Sequence, residues 1–221
     1  MDSTLIMLNS NQNSAGNRMN DLIKRLPLKN RRAMLSRILC FWLFICSLPL
    51  MAEESSKEVP EYNQTIGNYK LPDVLVVNRD DKKLSLIKEL DDGRPVILNF
   101  VFASCSAICP MLSHIFSKVQ EKLTENNQSF HLVSISIDPE NDTPAKLSEY
   151  AKKFDAGPQW DFYTGTVESS IAIQKAFNAY RGDKMNHSSV IFMCAAKGKS
   201  WLRLDGFVSP DVVVREYAKL K

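Results

Sequence analysis

An apolar run, Val96 to Phe102, stops at the small residues Ala103-Ser104, and Cys105, Cys109 and Pro110 follow at once. No other stretch constrains the fold as strongly. The run has the length and density of a strand buried on both faces. Met111, Leu112, Ile115, Val119 and Leu123 then recur at helical spacing. A helix is therefore expected from about Pro110 to Asn126-Asn127, with Asn127 as a left-handed cap residue. The cysteines fall on the strand-to-helix turn. There, free backbone N–H groups and the positive end of the helix dipole lower a thiol's pKa, and thiolate is the form that attacks disulfides and binds metals. If Cys105 to Cys109 already forms a helical turn, the i, i+4 spacing sets both sulfurs on one face. Such a pair can hold one soft metal ion or close as a disulfide. The extra residue relative to Cys-x-x-Cys relaxes the loop and favours a chelate.

The flanking segments supply the rest of a domain. Leu71 to Leu86 reads as a β-hairpin turning at Asn78 to Lys82, and a short helical turn is expected over Leu86 to Leu90. Phe130 to Ile137 is a second buried strand. It ends at Asp138-Pro-Glu-Asn-Asp142-Thr143-Pro144, where Thr143 caps and Pro144 opens a helix to Phe154. A strand at Trp160 to Thr164 follows, then a helix capped by Thr166 and running to about Ala179, with Ile171, Ile173, Ala176 and Phe177 facing inward. Beyond a polar loop, Tyr180 to Ser188, come a strand at Val190 to Cys194, a turn at Lys197-Gly198-Lys199, a partner strand at Trp201 to Leu204, and a helix opened by Ser209-Pro210. Long β/α alternation implies an α/β fold with a mostly parallel central sheet and helices on both faces. With the cysteine pair after the first central strand and an added N-terminal β-hairpin, the arrangement is thioredoxin-like.

The formal net charge of +3 over 221 residues conceals a division. Seven Lys/Arg and two acids precede Ala52, so that segment carries +5 and the remainder −2. The body has no basic surface suited to nucleic acid. Arg31, Arg32 and Arg37 precede an apolar run, Ile38 to Leu50, and Ala52 and Glu53-Glu54 follow it. This is the order of a secretory signal, cleaved after Ala52, and the run is shorter than the roughly 20 residues of a spanning helix. An uncleaved N-terminal membrane anchor is the competing reading, and Met19 or Met34 offers an alternative start. Residues 1–52 are thus expected to be a leader, 53–70 a linker and 71–221 the folded domain. Cys40 and Cys46 leave with the leader and read as apolar filler. Cys105, Cys109 and Cys194 remain in an exported, periplasmic or equivalent compartment, as a reactive pair and a core bystander.

Of the three histidines, His114 lies in the helix after the cysteines and His131 begins a buried strand. Both read as structural. His187 precedes the strand Val190 to Cys194, and in a thioredoxin-like fold that loop faces the cysteine turn. It is either an ordinary loop residue or the third member of a set with Cys105 and Cys109. Two thiolates and an imidazole suit Cu(I), or Zn(II) with a fourth ligand. The Asp138 to Pro144 segment lacks the glycine and spacing of a calcium loop. It reads as a strand-to-helix connection rimming the site.

Phe102-Ala-Ser-Cys105-Ser-Ala-Ile-Cys109-Pro110, Ser134-Ile-Ser-Ile-Asp138-Pro139-Glu140-Asn-Asp142-Thr143-Pro144 and Asn186-His187-Ser188 together resemble the Sco/SenC copper-binding proteins of cytochrome c oxidase assembly. The resemblance covers roughly residues 70 to 221. It implies a thioredoxin-like domain, exported or held at the membrane surface by its N-terminal segment. It also implies a copper ion bound by Cys105, Cys109 and His187. The implied partner is a copper-accepting oxidase subunit or another thiol-bearing client. The implied activity is copper delivery without turnover, or thiol–disulfide exchange by the redox pair Cys105 and Cys109, which reduces client cysteines. Asn186 stands where many members of that family carry an acid, which bears on the imidazole's second partner. The proline and threonine that surround a peroxiredoxin cysteine are absent around Cys105.

Overall fold

The structure, a computed structural model, describes residues 62–196 and 200–220. The expected leader and the Lys197-Gly198-Lys199 turn lie outside the described residues. Among the described residues, eight strands form one sheet: β1 (Asn63–Gly67), β2 (Leu75–Asn78), β3 (Lys83–Ser85), β4 (Val96–Val101), β5 (His131–Ser136), β6 (Trp160–Thr164), β7 (Val190–Cys194) and β8 (Trp201–Asp205). Their spatial order is β1-β8-β7-β4-β5-β6-β2-β3. The helices are α1 (Leu86–Leu90), α2 (Ile108–Glu125), α3 (Pro144–Lys153), α4 (Val167–Ala176) and α5 (Pro210–Ala218).

The parallel ladder is confined to β4, β5 and β6, the strands linked by α2 and α3. Every residue of β4, β5 and β7 is buried, as strands covered on both faces require. Side-chain alternation divides the core in two. Ile97, Leu132, Ile191 and Leu204 meet Leu112, Phe116 and Val119 of α2, Leu147 and Tyr150 of α3, and Val213 and Tyr217 of α5. On the other face, Leu98, Phe100, Val133 and Phe192 meet Leu86 and Leu90 of α1, Ile173 of α4 and Phe177 just beyond it.

Local chemistry starts three of the helices where expected. Thr143 accepts from the Lys146 N–H, Thr166 from Ser169 and Ser209 from Val212, with Pro144 and Pro210 in the first turns. Asn127 takes a positive φ of 50° just past α2. Helix α4 stops at Ala176, earlier than the pattern suggests, because Asn178 turns left-handed at φ 51°. Ile173 and Phe177 point inward as expected, while Ile171 and Ala176 are only partly buried.

The segment expected to be linker also contributes structure. β1 pairs antiparallel with β8, from Asn63 opposite Asp205 to Gly67 opposite Trp201. It is an edge strand exposed along most of its length, so its sequence carries no apolar alternation. Among the described residues no helix is long and apolar enough to cross a membrane.

Phe116 is fully buried and its ring centroid lies 5.7 Å from that of Trp160, tying α2 to the sheet beneath the cysteine turn. Phe116→Ala is expected to destabilise the domain by about 3–5 kcal/mol, read from urea unfolding monitored by far-UV circular dichroism.

Candidate metal centre

Parallel strands leave their carboxyl ends, and the loops that follow them, on one side of a sheet. Cys105 and Cys109 follow β4, and Asp138 and Asp142 follow β5. β7 pairs with β4 antiparallel, placing Ile191 opposite Asn99, so the start of β7 lies beside the end of β4. The loop before β7 therefore arrives at the cysteine turn, and it carries His187.

The turn after β4 closes with the Cys105 N–H donating to the Phe102 carbonyl at 3.1 Å. α2 then begins at Ile108, and its cap residue, Ala107, makes no side-chain capping bond. The Cys105 sulfur takes that role, accepting from the Cys109 N–H at 3.4 Å. Burial pushes the partly exposed Cys105 thiol up, but the N–H groups of Cys109, Ala107 and Ile108 outweigh it and hold its pKa below the ordinary thiol range. Cys109 is fully buried. Burial raises its pKa far above the ordinary range, against the Phe102 N–H that points at its sulfur from 3.5 Å. The pair is thus unequal, with one accessible acidic thiol and one shielded weak acid.

His187 follows a short 3-10 turn, Lys184–Asn186, capped by Asp183, whose carboxylate accepts from the Met185 N–H. The turn aims the Lys184 carbonyl back at the ring, 2.9 Å from Nδ1. A carbonyl only accepts, so the hydrogen-bond network assigns the proton of the neutral ring to Nδ1 and leaves the Nε2 lone pair open. Nε2 stands 3.3 Å from the Cys109 sulfur. Burial lowers the pKa of His187, partly offset by the Lys184 carbonyl, which favours the neutral ring that ligates metals.

The Cys105, Cys109 and His187 donor atoms all lie within 4.8 Å of one another. Donors on opposite sides of an ion bonded at about 2.0–2.3 Å are at most about 4.6 Å apart, so one ion fits with little contraction. Two sulfurs and one nitrogen are soft to borderline donors.

The Asp138 to Pro144 segment braces this cluster. Asp142, buried, accepts from the Ala103 N–H at 3.2 Å and from the Ser136 hydroxyl at 2.6 Å, anchoring the cysteine turn. Burial raises the pKa of its carboxyl against those two bonds, with Asp138 adding to the rise. Asp138 accepts from the Asn141 side chain and from the Lys184 ammonium.

The other residues weighed from sequence lie elsewhere. His114 is exposed on α2. His131 is buried at the start of β5, with Nε2 3.0 Å from Asp161 and Nδ1 3.2 Å from Asp92, the latter without hydrogen-bond angles. Cys194 is buried at the end of β7, opposite Val96, where burial raises its pKa. Sequence reasoning missed Lys184. Its contribution is a backbone carbonyl and an ion pair to a residue 46 positions away, and neither leaves a local pattern.

The SCO1/SenC family model matches residues 75–221. The chain belongs to the SCO1/SenC family. It is 31% identical over 140 residues to the SCO1 protein homolog of Bacillus subtilis, covering 60% of this chain and 72% of the relative. The solved structure of BsSco, described as a member of the Sco family of cytochrome c oxidase assembly proteins with a disulfide switch, is 29% identical. It superposes with a TM-score of 0.59 over 69% of this chain and 94% of BsSco. Arabidopsis thaliana ScoI with copper bound is 24% identical, with a TM-score of 0.58 over 69% of this chain and 95% of that one. The fold is the thioredoxin-like fold of these SCO1/SenC structures.

The unequal thiols make a direct prediction for the reduced, metal-free protein. Cys105 should alkylate with iodoacetamide along a pH curve whose midpoint lies below that of free cysteine. Cys109 should stay largely unmodified until the pH is well above it. Peptide mass spectrometry after timed labelling reads both curves, and equal rates for the two thiols would contradict the assigned environments.

Proposed function

We propose that this SCO1/SenC protein is an exported copper metallochaperone. In this reading Cys105, Cys109 and His187 bind copper and pass it to a thiol-bearing acceptor in the assembly of the copper centre of cytochrome c oxidase. One observation carries the reading: two sulfurs and an imidazole lone pair converge within 4.8 Å, with the ring oriented so that its open nitrogen joins the sulfurs. Three such donors suit Cu(I), which accepts low coordination and soft ligands. The copper-bound Arabidopsis relative and the assembly role given for BsSco support the choice of metal and of client. A cluster with partly exposed Cys105 at its rim leaves room for an incoming thiolate to take the ion by ligand exchange. Residues 1–52 act as the leader that exports the domain or tethers it to the membrane surface.

The unequal cysteines favour a second reading, thiol–disulfide exchange. The Cys105 thiolate attacks a client disulfide, forming a mixed disulfide and releasing one client thiolate. Cys109, once deprotonated, then attacks the Cys105 sulfur and releases the second client thiolate. The client is reduced by two electrons and the Cys105–Cys109 pair is oxidised to a disulfide. The two readings are compatible, because metal binds only to the reduced pair.

Titration of the reduced protein with Cu(I) against a competing chelator tests the first reading. One equivalent should bind tightly in the wild type, and both His187→Ala and Cys105→Ser should lose or greatly weaken it. Weak wild-type binding, or affinity indifferent to His187, would leave disulfide exchange as the function.

A further inference from the structure

Lys184 touches three parts of the site through two groups, its ammonium and its carbonyl. Its ammonium bonds a carboxylate oxygen of buried Asp138 at 2.6 Å. The same ammonium lies 5.6 Å above the Phe102 ring. Its carbonyl receives the His187 Nδ1–H, and more distantly the His187 backbone N–H at 3.3 Å. The Phe102 ring meets the imidazole edge-on, with centroids 5.3 Å apart and planes at 73°. The residue beside the histidine, Asn186, is exposed and is not the ring's partner.

These contacts form a chain of cause. Asp138 is fixed in the β5–α3 loop by Asn141, which donates to its other oxygen at 2.9 Å. A buried carboxylate holds a cation firmly, because its alternative is a charge without a counter-charge in a low-dielectric setting. The cation is the side chain of the residue whose carbonyl sets the imidazole. We propose that the Asp138–Lys184 ion pair is a positioning device that locks the His187 loop, fixes the Nδ1–H tautomer and holds Nε2 at the two sulfurs. Asp138 and Lys184 are positioning residues, acting through a backbone carbonyl where an acid next to the histidine would act directly. The inference rests on the metal-binding reading of Cys105, Cys109 and His187, and it names what sets their affinity.

The test compares wild type, Lys184→Met, Asp138→Asn and Lys184→Arg as the full reduced chain, with two readouts. The first needs no metal: 15N shifts of the His187 ring. Wild type and Lys184→Arg should show a single Nδ1–H tautomer, while Lys184→Met and Asp138→Asn should show a mixture of the two tautomers. The second is Cu(I) competition. Lys184→Met and Asp138→Asn should weaken binding by about 10- to 100-fold, the usual cost of losing an outer partner, and Lys184→Arg should recover most of it. A merely structural role would leave the tautomer unmoved. Lys184→Met with wild-type ring shifts and affinity within twofold of wild type would overturn the proposal. If Asp138→Asn does not fold, the Lys184→Met and Lys184→Arg pair decides alone. If wild type binds no Cu(I), the copper reading fails by itself, and the ring shifts still decide whether the ion pair positions His187.

Discussion

The antiparallel pairing of β7 against β4 is the constraint on which the site depends. Cys194 faces Val96 and Ile191 faces Asn99, so β7 begins where β4 ends. His187 lies three residues before β7, and three extended residues span about 10 Å. The histidine is thereby confined to the neighbourhood of the β4–α2 turn, although 78 positions separate it from Cys109. A parallel β7 would carry that loop to the other end of the sheet, next to His131. The cysteines alone offer two donors. Strand direction makes them a three-donor set.

The second determinant is the amino end of α2. The helix presents unpaired N–H groups to Cys105 and buries Cys109 against Val101 and Phe102. One element thus gives two thiols opposite characters without any charged side chain in its first turn. The proposed metal binding and the proposed disulfide exchange would both draw on this asymmetry.

Much of this was legible from residues. Thr143-Pro144 and Ser209-Pro210 fix two helix starts by local chemistry, and the apolar runs at Val96 and Val190 give two central strands. The cysteine pair stands out because two sulfurs beside a proline at a strand end have few bland explanations. Elements whose partners are distant left weaker traces. β1 is polar and exposed, so nothing in Asn63–Gly67 announces the β8 edge that it covers. The apolar pattern runs past the end of α4, because a left-handed asparagine, Asn178, stops the helix within it. Asp138 and Asp142 were visible as a motif, yet their separate tasks, one holding Lys184 and the other holding Ala103, emerge only once the loops are brought together. Lys184 left no trace at all, because a carbonyl is common to every residue.

The central claim is that one ion is held by both sulfurs and the imidazole together. X-ray absorption spectroscopy of the reduced protein loaded with one equivalent of Cu(I) tests it most directly. The account predicts a three-coordinate first shell of two sulfurs and one nitrogen, with the outer-shell scattering of an imidazole ring, and loss of that scattering in His187→Ala. A first shell of sulfur alone, unchanged by removing His187, would contradict it.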